Sequence, residues 1–259
     1  MRFGCCVPVD KYAMGAAAGY DYIEIPGWQL ASLSGAELES LKDEMDRAGV
    51  PILRVNSYCS GKPAICGPGF DPEAARAYAA DLMTKASFLG VEKIGIGAPA
   101  ARRLPEGFDA DLADAQCAEF LKVNCEEAAP YGIDILLEAI QPAFCNYLND
   151  TAVAYERVKL LGIENLHMVI DLYHMKNNGE SLTDMGWYMD EAGHVHVSTT
   201  GPENTRGLFG AATAEECEES FAAIKNAGYD GTVSIEPDAA AVTPESLSAC
   251  LDIMRRCAG

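Results

Sequence analysis

Short apolar, β-rich runs recur along the chain, and amphipathic stretches with apolar positions three and four residues apart separate them. The runs RFGCCVP, DYIEIPG, PILRVNSY, KIGIGAP, DILLEAI, HMVIDLY, HVHVSTT and TVSIEPD read as eight strands. Helices are expected near Lys11–Gly19, Gly35–Ala48, Pro72–Leu89, Leu112–Tyr131, Thr151–Leu161, Leu182–Glu191, Ala214–Ala227 and Pro244–Arg256. The pairs Asp71-Pro72 and Thr243-Pro244 put a capping side chain before a proline whose missing N–H costs nothing in a first turn. Gly49, Gly90, Gly132, Gly162, Gly193 and Gly228 follow helical runs, where a left-handed terminator is wanted.

Strand and helix alternate eight times without a hairpin signal, which means parallel pairing through crossover helices. The 259 residues match the roughly 250 of a single (β/α)8 barrel, so one TIM barrel over residues 1–259 is expected. An open doubly wound sheet lacks its glycine-rich nucleotide loop. Gly95-x-Gly97 ends a strand, and no third glycine opens a helix; a close approach of backbone to a neighbour or ligand explains the pair better. The loops 61–71 and 98–110 follow strands and are expected over the catalytic mouth.

Strands covered on both faces should be apolar. Four of them nevertheless carry ionisable residues near their C-terminal ends, the end at which barrel active sites lie. Glu138 follows Ile135-Leu136-Leu137, Asp171 follows Met168-Val169-Ile170, His194 and His196 share the seventh strand, and Glu236 follows Val233-Ser234-Ile235. Three carboxylates crowded together repel unless some are protonated or a cation neutralises them. Glu138, Asp171, His196 and Glu236 are thus expected to hold one divalent ion. One imidazole with oxygen ligands suits Mn2+, Co2+ or Mg2+ better than a thiolate-rich zinc site. His194, deeper in its strand, reads as a hydrogen-bonded core group, and His167 as structural. His174, three residues past Asp171, could reach a substrate oxygen. Glu24 reads as a buried carboxylate with Arg54 as its natural partner, and Trp28 and Trp187 as packing residues.

Composition narrows the partners. Nineteen basic against thirty-nine acidic residues give a net charge of -20, which repels nucleic-acid backbones and anionic membranes alike. No run approaches the roughly 20 apolar residues of a membrane span, and the N-terminus shows no signal-peptide core. Ten cysteines without a CxxC pair read as free thiols of a reducing, cytoplasmic setting, with Cys5, Cys6, Cys59 or Cys145 as candidates for a regulatory thiol.

The motifs LLEAI around Glu138, VIDLYHM with Asp171 and His174, HVHVS with His196 and VSIEP with Glu236 resemble the xylose isomerase-like barrels named sugar phosphate isomerases/epimerases. That family includes ketose 3-epimerases, hydroxypyruvate isomerase and inosose dehydratase, and the resemblance spans the whole chain. It implies the same four ligands for an ion, most often Mn2+, with Mg2+, Co2+ or Zn2+ as substitutes. It implies acid–base roles for Glu138 and Glu236, substrate contact by His174 and by the loop arginine Arg206, and a small carbohydrate substrate. The implied chemistry is proton abstraction beside a carbonyl through a metal-stabilised enediolate. Arg102 and Arg103, in the loop after the fourth strand, are candidates for the mouth, and Arg102 for substrate contact.

Two departures stand out. The stretch AIQPAFCNYL after Glu138 lacks the second glutamate with which the 3-epimerases grip substrate, and DAAAVTPESL offers no glycine-rich phosphate cradle. A lyase of the inosose-dehydratase type, or a sugar-binding barrel idle within a larger enzyme, remains an alternative, as does assembly into a homo-oligomer. The apurinic-site endonucleases of the same family need a histidine-rich zinc cluster and a basic groove, which four histidines and this charge do not provide.

Overall fold

The computed structural model describes residues 1–238 and 242–259. Eight parallel strands close into a barrel: β1 (Arg2–Cys6), β2 (Tyr22–Pro26), β3 (Ile52–Asn56), β4 (Lys93–Ile96), β5 (Asp134–Glu138), β6 (Leu166–Asp171), β7 (Ala192–Val197) and β10 (Thr232–Ile235), with β10 pairing back to β1. Between β7 and β10 lies an antiparallel ribbon of two-residue strands, β8 (Thr199–Thr200) and β9 (Arg206–Gly207). The sequence carries no hairpin signal there, because two-residue strands have no room for an alternation.

The helices are α1 (Tyr12–Ala17), α2 (Gly27–Ser32), α3 (Gly35–Ala48), α4 (Pro72–Leu89), α5 (Ala110–Ala128), α6 (Thr151–Leu161), α7 (Leu172–Asn177), α8 (Ala214–Asn226) and α9 (Pro244–Ala258). Their ends follow the expected chemistry. Asp71 accepts from the amides of Glu73 and Ala74, and Ser34 and Glu37 form a reciprocal capping box. The segment after Ser181 winds as a 3-10 helix, Leu182–Tyr188, rather than an α-helix. The six-residue helices α2 and α7 are too short to show a period.

Gly49, Gly90, Gly132, Gly162 and Gly228 take the left-handed conformation expected of terminators, but Gly193 does not. It lies inside β7, where a Cβ would stand 2.5 Å from Leu136 Cδ2, so its role is close packing of strand on strand. The two tryptophans also differ from expectation: Trp28 is 43% and Trp187 71% exposed, so neither is a core packing residue.

Strand alternation sorts the barrel into an apolar outside and a polar lumen. Phe3, Ile23, Ile25, Val55, Ile94, Ile96, Leu137, Ile170, Val195 and Val233 pack in the core cluster with apolar helix residues such as Leu82, Phe120 and Phe221. The residues between them face one another across the lumen. Tyr22 on β2 meets Ser234 on β10 at 3.0 Å, and Glu24 on β2 meets both histidines of β7. An unpaired buried group in such a lumen costs about 1–3 kcal/mol, which makes any atom left without a partner informative.

Candidate active site and metal centre

Each of the four residues singled out by the sequence is carried to the same rim by its strand. One ligand atom apiece from Glu138, Asp171, His196 and Glu236 all lie within 4.8 Å of one another. Register places Asp171 beside His196 across β6 and β7, and Ser234, two residues before Glu236, beside His196 across β7 and β10. Asp171 also caps α7: its Oδ1 accepts from the amides of Tyr173 (2.8 Å) and His174 (3.2 Å). That cap leaves Oδ2 for the site and puts His174 in the first helical turn, which gives the Asp-x-x-His spacing its physical reason.

His196 carries the most informative atom. Its Nε2 bonds Glu24 Oε1 at 3.0 Å, and its Nδ1 points at the carboxylates of Glu236 (3.3 Å), Glu138 (3.6 Å) and Asp171 (3.9 Å). Nδ1 is buried and has no hydrogen-bond partner. A buried imidazole nitrogen of this kind needs a ligand, and three facing carboxylates are the donor set of a divalent ion. These residues fit such an ion. Cys6, Glu24 and His196 also converge within 4.8 Å, but there both Glu24 oxygens are already bonded to imidazoles.

The electrostatics agree with a site designed to take positive charge. Burial, with Glu236 and Asp171 nearby, pushes the Glu138 carboxyl up to about 7 despite the opposing pull of His196. Burial acts the same way on Asp171 and Glu236, but the Arg206 guanidinium and His196 outweigh it and hold both below the usual carboxylate range. Burial opposes charge on His196, yet Glu24 and Glu236 hold its pKa well above the ordinary value, so without an ion the ring is protonated and a bound ion would take the place of the Nδ1 proton. Burial lowers His174 to about 4, so it is neutral at pH 7.

Arg206 enters from the ribbon. Its Nη1 donates to Glu236 Oε2 (2.6 Å), and its Nη2 donates to Asp171 Oδ2 and to His174 Nε2 (2.9 Å). The guanidinium also lies 4.2 Å from the centre of the Tyr173 ring. Asp238 pins the ribbon, accepting the Arg206 amide at 2.9 Å and donating its own amide to the Arg206 carbonyl at 3.0 Å. Glu236 is further held by Asn56, whose Nδ2 donates to Oε1 at 2.7 Å. Above these groups opens a cavity of about 310 Å3 whose walls include Ser57, Pro99, Ile140 and Phe144, with Glu138, His174, Arg206 and Glu236 of the site. A larger groove of about 510 Å3, against α2 and α3, brings no such ligand set together.

Several expectations meet a different outcome. Arg102 does not reach the cavity: the 3-10 turn Pro99–Ala101 folds it inward, it is fully buried, and its Nη2 donates to the Glu138 carbonyl at 2.8 Å. Arg103 instead bonds the Phe144 carbonyl at the surface. Arg54 does not pair with Glu24 although the two are register partners; it donates to the Leu53 carbonyl and to Glu92, both at 2.8 Å. His194 is the core hydrogen-bonder expected, and His167 pairs with Glu191. The loop 98–110 supplies Ala98 and Pro99 to the cavity, whereas no residue of 61–71 lines it. Part of the DAAAVTPESL segment, residues 239–241, lies outside the described residues.

Sequence reasoning passed over Asn56, Asp238 and Phe144. Asn56 is a polar residue at the C-terminal end of β3, a signal of the same kind as those of the four candidate ligands. Asp238 and Phe144 sit in loops where no periodicity marks them. Gly97, read as a point of close approach, is one: a Cβ there would stand 2.3 Å from Glu138 Oε2. Gly97→Ala is therefore expected to displace the Glu138 carboxylate and to leave the fold intact. Metal affinity, measured by calorimetry, should fall at least ~10-fold, in the range of changes that misplace a ligand, with an unchanged circular dichroism spectrum.

Comparison with known proteins places this chain in a family. The model of the xylose isomerase-like TIM barrel matches residues 13–256. A provisionally named hydroxypyruvate isomerase of Streptomyces coelicolor is 28% identical over 242 residues, covering 88% of this chain and 84% of its own. An L-ribulose 3-epimerase of Methylomonas sp. is 26% identical over 258 residues, covering 95% and 84%. Among solved structures, a D-psicose 3-epimerase determined in the presence of D-fructose superposes with a TM-score of 0.82 at 19% identity, each chain covered fully. At that identity the likeness speaks for the fold. The chain belongs to the xylose isomerase-like TIM barrel family.

Proposed function

We propose that the chain, an enzyme of the isomerase class, is a divalent-metal-dependent isomerase or epimerase of a small ketose or related uncharged carbohydrate. The observation that carries this reading is the unpartnered Nδ1 of His196 facing Glu138, Asp171 and Glu236. Relatives named for sugar isomerases and epimerases support the class. A bound divalent ion supplies Lewis-acid polarisation of a carbonyl and neutralises the three carboxylates.

The chain's own residues do the rest. Glu138, the last residue of β5, and Glu236, which follows β10, both line the cavity. One takes the proton from the carbon beside the carbonyl, and the other returns a proton to that carbon or its neighbour, so that none is gained or lost overall. Burial raises the Glu138 carboxyl and so favours its taking a proton, while a bound ion would pull the other way. His174 and Arg206 orient the substrate oxygens, while Ile140 and Phe144 offer apolar wall to the carbon face and exclude water.

Charge on the cavity wall supports an uncharged substrate. Among the described lining residues the cation is Arg206, already bonded to Asp171 and Glu236, and Asp238 adds a further acid. A phosphate or carboxylate finds no free partner on that wall. Arg102, buried behind β5, takes no part in substrate contact. The ten free thiols support a reducing, cytoplasmic setting, and no described helix is long and apolar enough to cross a membrane.

The test is a panel of ketoses, ketose phosphates, hydroxypyruvate and inososes in D2O with added Mg2+, followed by proton NMR. Deuterium should enter an uncharged ketose beside its carbonyl without loss of water. Exchange confined to the phosphates or to hydroxypyruvate contradicts the substrate class, and release of water points to a lyase.

A further inference from the structure

Below the ligand set, polar groups run through the barrel lumen in a chain whose donors and acceptors can be assigned. Glu24 is 1% exposed, and each of its oxygens faces one imidazole: Oε1 meets His196 Nε2 and Oε2 meets His194 Nε2, both at 3.0 Å. An ionised carboxylate only accepts, and Glu24 sets one oxygen against each imidazole nitrogen. Both Nε2 atoms must therefore carry hydrogen.

In its neutral form His194 has one ring proton, and Glu24 Oε2, 3.0 Å from Nε2, fixes it there. With that proton on Nε2, its Nδ1 must accept, and Thr232 Oγ1 stands 2.8 Å away as the donor. The Thr232 hydroxyl in turn accepts from Arg54 Nη2 at 3.4 Å, and Arg54 is anchored to Glu92 at 2.8 Å. Every bond in the series from Arg54 to Glu24 runs in one direction. Reversing the His194 tautomer sets a bare nitrogen against Glu24 Oε2 and a second N–H against Thr232.

We infer that Glu24 and His194 are positioning residues that fix the Nε2–H tautomer of His196 and so present its Nδ1 lone pair to the metal centre. The inference rests on the metal reading above. It gives a role to two buried ionisable groups that touch neither the cavity nor, by the reading above, the substrate. A carboxylate behind a ligating imidazole orients the ring and raises its basicity, and removing it costs about 10–100-fold in metal affinity. The device explains why Glu24 pairs across the lumen with β7 rather than with Arg54 beside it: Arg54 holds the far end of the same series.

The experiment is Co2+ titration of EDTA-stripped protein by calorimetry and visible absorption. Wild-type protein should bind about one ion, and Glu24→Gln should bind it roughly 10–100-fold more weakly with a shifted Co2+ absorption band. Thr232→Val keeps the carboxylate and the shape but removes the hydroxyl that sets the His194 tautomer; it should weaken binding less and move the same band. This second variant decides the matter if Glu24→Gln fails to fold. Long-range 15N–1H correlation on the Zn2+-loaded wild type should show both imidazoles protonated at Nε2. Wild-type affinity and spectrum in both variants, or an Nδ1-protonated His194 or His196, overturns the relay while leaving the metal centre standing. Wild-type protein that takes up no ion overturns the metal reading, and the relay with it.

Discussion

Glu138→Gln and Glu236→Gln should each lower turnover by roughly 10²–10⁴-fold, the usual contribution of a positioned acid or base, with a much smaller change in KM. Glutamine keeps the shape of the side chain and its carbonyl oxygen but cannot take or return a proton. The two variants should differ in detail. Glu236 is held by Asn56 and Arg206, so its replacement also frees the guanidinium, and Glu236→Gln is expected to weaken substrate binding more. Glu138 makes no such ion pair with Arg206; its surroundings are His196, His174 and the bare backbone of Gly97. With the ion supplied at saturating concentration, to offset the loss of a carboxylate ligand, its replacement should fall mainly on turnover. The check is hydrogen exchange at the carbon beside the carbonyl, followed in D2O by NMR. Exchange at the wild-type rate in both variants removes them from the acid–base role.

Asp171→Asn and His196→Ala should release the ion, weakening it by more than the ~100-fold that changes behind the ligands cost. Asp171 offers Oδ2 to the centre while its Oδ1 caps α7, so asparagine can keep the cap through its carbonyl oxygen and lose only the charge. That makes Asp171→Asn a cleaner probe of the site than of the fold. His196→Ala removes the only nitrogen ligand and leaves Glu24 with a single imidazole, so some loss of thermal stability should accompany it. Calorimetric titration of the EDTA-stripped variants checks both, and wild-type affinity in either excludes that residue as a ligand.

The four candidate ligands were legible because an ionisable residue at the end of an apolar run is visible without knowledge of register. Strand parity placed them at one rim, and the barrel closed on schedule because eight runs with crossover helices leave few other topologies. Partners chosen across space were not legible. Glu24 and Arg54 are neighbours in register, yet the sequence does not tell that one side chain crosses the lumen and the other turns back towards Glu92. Arg102 and Arg103 are adjacent in the chain, but a single 3-10 turn buries the first and leaves the second at the surface. The ribbon that delivers Arg206 rests on two-residue strands and an Asp238 anchor, features too small for any periodicity to reveal. Gly193 was placed by a rule for helix ends, and packing against Leu136 overrode it.

Proton transfer is expected to depend on an ion held by Glu138, Asp171, His196 and Glu236. Its most direct test is deuterium incorporation into an uncharged ketose by the same protein sample before metal removal, after EDTA, and after Mg2+ or Mn2+ is restored. Exchange should be present, then lost, then recovered. Exchange that continues undiminished in the stripped protein contradicts the account.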